Sequence, residues 1–335
     1  MEELAHTSVE GTTGISIRKL QRQLAALLPQ AHAPARESPL ELSFQANDAP
    51  RLISATVIEG RELARREIAG GASAGFRAFL DGTQKSVVAA YVSNVPIVHG
   101  QAAAVVRERR DRRMHTWHAP LVESRIYAPR TQLAAVTWGT LTDEYGALLV
   151  DTSEKLGEFG PHPYALRDAA YHAAQAHRER LEQRLAEEWC GSEHDPLFID
   201  GGISGSEQVA GSRCAVGVVK SHRTLYAEGA ALGVLLALPE GARSSVFRIP
   251  SAKRAAVASW YLRLRNPAER DPMWGLVRVE TALPSAGDMD DIGPRADAIS
   301  RWVLAEVSPL ALPDARWDKL MYGVRDCEEF LRAIA

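Results

Sequence analysis

Cysteine is scarce in this 335-residue chain: Cys190, Cys214 and Cys327 are far apart, and no Cys-x-x-Cys pair occurs. That excludes a disulfide framework or a cysteine zinc site as the organising device, and it suits a reducing cytoplasm. No apolar run approaches the roughly 18 residues of a membrane span. The first residues lack the basic start and apolar stretch of a secretory signal. Basic charge is not in excess either. The formal net charge is -3, so any nucleic-acid contact has to come from a local patch. A G-x-x-x-x-G-K-[ST] loop is missing, which argues against P-loop chemistry, and Ser204 and Ser206 lack the G-x-S-x-G form of a hydrolase elbow. The histidines do not cluster at ligand spacing: His115 and His118 follow a basic run, and His172 and His177 are five apart.

What is present reads as strands and helices in alternating blocks. Ile17, Leu20, Leu24, Leu27 and Leu28 recur at helical spacing and stop at Pro29. This is an amphipathic helix, packed on its own core or on a partner. Pro34, Pro39 and Pro50 mark a linker, so residues 1–50 are taken as an N-terminal extension and 51–335 as the main domain. Residues 51–69 are expected to be helical. From Phe76 the pattern turns to strands, FRAFLDG, SVVAAYVSNVPIVHG and QAAAVVRERR, which suggest an antiparallel meander. SRIYA and LAAVTWGTL are further strand candidates, and 164–190 is a long helix. Strands at 196–200, 215–219, 259–265 and 273–281 follow, then helices at 295–306 and 314–334. A mixed α/β sheet with flanking helices is the expected class.

Two apolar runs each end in Asp-Gly followed by hydroxyls: Phe79-Leu80-Asp81-Gly82-Thr83 and Phe198-Ile199-Asp200-Gly201-Gly202. Strands presenting an Asp at the same end can build a metal site from distant parts of a chain. Asp-Gly after a strand is also an ordinary hairpin turn. Mg²⁺ and Mn²⁺ are hard ions that take oxygen ligands, and a pair of them needs a third carboxylate. Glu182 is the candidate, because Leu181 and Leu185 bracket it on the apolar side of its helix. Glu187 and Glu188 fall where the helix ends. Lys220 follows an apolar strand and can either snorkel to solvent or reach a phosphate. The run Arg107-Glu-Arg109-Arg110-Asp-Arg-Arg113 is the densest basic stretch, a phosphate-contacting patch or plain solvated surface.

The order FLDGTQKS, RERLEQRLAEEW, LFIDGGISGS, VGVVKSH, YLRLR and GLVRVE resembles the NurA nuclease domain over residues 75–335. The resemblance implies a ribonuclease-H-like mixed sheet flanked by helices, with a helical insertion and an N-terminal helical extension. It implies DNA cleavage with Mn²⁺ or Mg²⁺, a two-metal site, a homodimer, and docking on a HerA-type hexameric ATPase in end processing or phage defence. On this resemblance Asp81, Asp200 and Glu182 become metal ligands, and Lys220 lies in the family's lysine-bearing strand. One departure stands out. The family carries a His on its C-terminal helix, and this chain has none after His222, where Arg316 or Lys319 stands near that place. Either is a cation for phosphate and not a metal ligand like imidazole.

Two other classes remain. A non-catalytic adaptor of the same ATPase would explain the missing His. An actin-like kinase or ATPase shares the core fold, but its loops read D-x-G-[ST], whereas here Gly follows Asp directly.

Overall fold

The computed structural model describes residues 12–34, 49–111, 113–156, 160–220, 223–249, 255–268, 270–285, 287, 289–307 and 322–334. Its frame is a large mixed sheet. The first three long strands are β1 (Ala78–Val92), β2 (Val95–Arg110) and β3 (Arg113–Ala128). They form an antiparallel meander, cut differently from the expected one: FRAFLDG runs on into SVVAAYV as one strand, VPIVHG joins QAAAVVRERR as the second, and the third starts only at Arg113. Ser93 and Asn94, with φ of 47° and 73°, make the tight β1–β2 turn, where two left-handed residues match the twist of the flanking strands. β4 (Leu197–Asp200) pairs in parallel with β1, and β5 (Ala215–Val219) in parallel with β4. The five strands lie in the order β3-β2-β1-β4-β5, with β2 alone antiparallel to the rest. That is the ribonuclease-H-like arrangement. β6 (Val257–Arg263) and β7 (Leu276–Thr281) extend the sheet as a hairpin, β7 pairing with β5.

Helices cover both faces. The long α3 (Pro163–Ser192) starts with proline in its first turn, and the His162 imidazole accepts from the Tyr164 amide. Its Leu181, Leu185 and Trp189 pack with Ala78, Leu80, Leu197 and Ile199. On the other face α4 (Ile292–Val307) and α5 (Tyr322–Ile334) pack Ile299, Val303, Cys327 and Leu331 against Phe79, Phe198, Val216 and Val218. The alternation Ala78/Leu80 against Phe79 is the two-residue period of a strand buried on both sides. α1 (Ile17–Leu27) buries Leu20 and Leu24 against Ala89, Ile97 and Ile126, so its apolar stripe covers this chain's own meander. No helix among the described residues is long and apolar enough to cross a membrane.

Three expectations change. Residues 51–69 form short strands, Arg51–Leu52, Thr56–Val57 and Arg65–Glu67, and not a helix. Each pairs with a later segment, Arg51–Leu52 in a separate two-stranded sheet and the other two at the far side of the large one, and this pairing overrides the helix propensity of Glu and Arg. LAAVTWGTL is no strand. α2 (Ala135–Tyr145) occupies it, burying Thr137, Leu141 and Tyr145 at helical spacing. Finally, Asp81 is not at a strand end, since β1 runs on through Gly82 and Thr83 without a hairpin turn. Of the expected linker, 35–48 lie outside the described residues; so do Arg316, Lys319 and the first part of the helix expected at 314–334.

Candidate active site

β4 and β1 pair through Leu197↔Ala78, Phe198↔Phe79 and Ile199↔Leu80. Asp200 and Asp81 come next on each strand, at the same level on neighbours about 4.8 Å apart. By strand parity both share the face of Phe79 and Phe198, the one α5 covers. Beyond this point β4 leaves the sheet. Gly201 takes φ 130° and donates its amide back to the Val218 carbonyl at 3.1 Å. Gly217 permits this fold-back, because a Cβ there would stand 2.7 Å from the Gly201 carbonyl oxygen. The turn is then held by Glu280 of β7, which is 2% exposed. Its carboxylate accepts from the Ile203 amide at 2.9 Å and from Arg278 at 2.8 Å.

Glu182 arrives from the opposite face. Its carboxylate lies over Gly82, where any Cβ would collide with Oε1. Gly82 is therefore a point of close approach between helix and sheet, not a turn residue. Oε1 of Glu182 has no hydrogen-bond partner, although the Arg178 guanidinium lies 3.3 Å away. Lys220, one residue past β5, places Nζ 2.5 Å from Asp200 Oδ2. Asp81 is 6% exposed, and its Oδ1 accepts from the next amide, Gly82, at 2.8 Å.

The electrostatics follow from this crowding. Burial, then the charges of Asp200 and Glu182, push Asp81 up to about 8, against the smaller pull of Lys220. Burial also raises Glu182 to about 7, with Arg178 opposing and Asp200 reinforcing. Burial works against the charge of Lys220, but Asp200 and Asp81 outweigh it, so its pKa is raised and the ammonium is kept. Glu328 of α5 adds to that field.

The structure thus brings together Asp81, Asp200, Glu182 and Lys220. Among the described residues, however, no group of three His, Cys, Asp or Glu side chains is arranged to hold a metal ion. The two observations are compatible. The acids are electrostatic neighbours, but Glu182 comes from the far side of the sheet, and Lys220 and Arg178 lie beside Asp200 and Glu182. The carboxyls themselves offer a hard divalent cation the oxygen donors it prefers, one of them buried and without a hydrogen bond.

The basic run has other contacts. It straddles the β2–β3 turn. Arg107 donates to Asp326 at 2.6 Å and to Thr116, and lies over the Phe330 ring. Arg109 makes a fork to Glu306 at 2.8 and 2.7 Å. Both guanidiniums therefore pin α4 and α5 to the sheet. Arg110 pairs with Glu108 at 2.5 Å. His177 is buried between Tyr127 and Glu123. Sequence reasoning missed Glu280 and Gly82. Only the acid closing the apolar run of β7 hinted at the first.

The chain matches no family model and no curated protein. Among solved structures it is similar to the NurA nuclease from Sulfolobus solfataricus, at 10% identity over 80% of this chain and 81% of that one, with a TM-score of 0.44. The chemistry of the site rests on its own geometry.

Proposed function

We propose that this protein is a metal-dependent DNA nuclease, hydrolysing phosphodiester bonds at the junction of β1, β4 and α3. The observation that carries the reading is the meeting of three acids and a lysine from four segments, with two of the acids pushed well above the ordinary carboxyl range by burial and by one another. Neighbouring carboxyls perturbed in this way are what a cation-binding site presents before its ion arrives. Asp81, Asp200 and Glu182 would hold Mg²⁺ or Mn²⁺. Such ions supply Lewis-acid stabilisation of the phosphoryl charge and an activated water. Lys220 keeps its proton and neutralises a phosphate oxygen. The Gly201–Gly202 turn has no side chain to obstruct an approaching backbone. Action with a HerA-type ring ATPase, a homodimeric state and a role in end processing or defence are parts of the proposal supported by the resemblance of the segments around these residues.

The test is cleavage of single-stranded and linear duplex DNA with Mn²⁺. Asp81→Ala and Asp200→Ala should each lower the rate by about a hundredfold or more, and EDTA should abolish it. Cutting that survives both substitutions sinks the assignment. A second reading, an inactive adaptor on the same ATPase, is favoured by one observation: Lys220 is ion-paired to Asp200 and Arg178 lies beside Glu182. Intact DNA after prolonged incubation with Mn²⁺, together with retained binding to the ATPase, would select it.

A further inference from the structure

Away from the acids, two of the three cysteines meet. Cys190 lies in the last turn of α3 and is half-buried; Cys214 stands directly before β5 and is buried. Their sulfurs are 3.6 Å apart although the residues are 24 apart in sequence. Both backbones are fixed. Cys190 is helical, and the Cys214 carbonyl accepts from the Leu197 amide of β4 at 2.9 Å. Ser212 Oγ is 3.1 Å from the Cys214 sulfur. Cys327 is elsewhere, on the buried face of α5 with its thiol donating to the Phe79 carbonyl.

We propose that Cys190 and Cys214 form a reversible intrachain disulfide when the protein meets a peroxide. The sulfurs have only to close from 3.6 Å to about 2.0 Å, within reach of side-chain rotation between two anchored backbones. The roles divide. The hydrogen bond between the thiols, helped by Ser212 at Cys214 and by burial at Cys190, holds Cys214 below the ordinary thiol range and Cys190 above it. The Cys214 thiolate attacks a peroxide oxygen, the O–O bond breaks, and hydroxide leaves. The Cys190 sulfur then attacks the resulting sulfenic sulfur, forming the S–S bond. That step expels a second hydroxide, and the Cys190 proton ends on water. Two thiols lose two electrons, and one hydrogen peroxide is reduced to two waters. The cross-link joins the end of the helix that carries Glu182 to the entry of the strand that leads to Lys220. Its formation is independent of the nuclease reading.

The test uses the full chain, folded, treated with hydrogen peroxide, alkylated without reductant, digested and weighed. The expected product is one peptide pair, Cys190 to Cys214, two hydrogens lighter than the sum of its parts, lost on adding dithiothreitol, with Cys327 still alkylated. The oxidised protein should melt roughly 5 °C or more higher than the reduced one, since the cross-link closes a loop in the unfolded chain. Cys190→Ser and Cys214→Ser should each abolish both effects, while Cys327→Ser keeps them. Full alkylation of Cys190 and Cys214 in the folded wild type after peroxide would overturn the proposal. So would a cross-link that runs through Cys327, joins two chains, or appears only in denaturant.

Discussion

Two clusters of buried charge sit in this sheet, and they differ in how their charges are met. At Arg243 one guanidinium stands between two acids. It donates to Asp297 at 2.6 Å, to Glu59 at 2.6 and 2.9 Å, and to the Ser244 and Gly293 carbonyls. Glu59 also accepts from the Val246 amide. Burial alone would raise Glu59, but Arg243 reverses it and the acid is held below its ordinary range. At the β1–β4 junction three acids face Lys220 and Arg178, a similar formal balance. Yet Asp81 and Glu182 are pushed up, and a Glu182 oxygen has no hydrogen-bond partner. The first cluster is closed on itself and serves the fold. The second is left electrostatically unsatisfied, which a stable fold alone does not require.

The contrast can be broken most forcefully at Arg243. Arg243→Met leaves Glu59 and Asp297 uncompensated and should destabilise by about 3–5 kcal/mol, read from denaturant midpoints. A neutral result would mean the network is decorative. Next comes the opposite intervention at the site, adding charge. Mn²⁺ at a hundredfold excess over its dissociation constant should stabilise the wild type by about 2.7 kcal/mol, read from thermal melts. EDTA should reverse this, and Asp200→Asn should not show it. An equal shift in Asp200→Asn would place any bound ion elsewhere. Gly82→Ala should cost about 1–3 kcal/mol by overpacking and displace Glu182, so the loss should shrink in the Gly82→Ala, Glu182→Ala double variant.

The smallest effect separates the clusters by pH. Asp81 is raised in the folded state from 3.8 to about 8, so the folded chain keeps a proton the unfolded chain has lost. Its contribution is full below the unfolded value and declines as pH rises across that window. Asp81→Asn should therefore gain melting temperature over wild type as pH rises, by about 2 °C or more at pH 8. Glu59 has the reverse sign: its stabilising contribution is lost as pH falls through its lowered value. A constant Asp81→Asn difference from pH 4 to 8 would show that repulsion at Asp81 is negligible.

Much of this arrangement was legible from residue order. The apolar runs into Asp81 and Asp200 are strands, and the uninterrupted stretch after Pro163 is one helix, because periodicity and the absence of breakers act locally. The Asp81-Gly82 step was not legible as strand interior. Asp-Gly reads equally well as a turn, and only pairing with β2 carries the strand on. Arg107 and Arg109 look free in sequence, since Glu306 and Asp326 are about two hundred residues away.

Sequence alone determined the alternating blocks and the chemistry on offer: strand acids, a helix acid, a lysine and two thiols. These follow from side-chain spacing, which a few neighbouring residues settle. Tertiary structure decided which of them meet. The level pairing of β4 beside β1 sets Asp200 next to Asp81, and the bare backbone at Gly82 admits Glu182. The end of α3 beside β5 joins Cys190 to Cys214. Register and close approach depend on the packing of the whole sheet, because long-range contacts are selected by the total core they bury and not by any local preference.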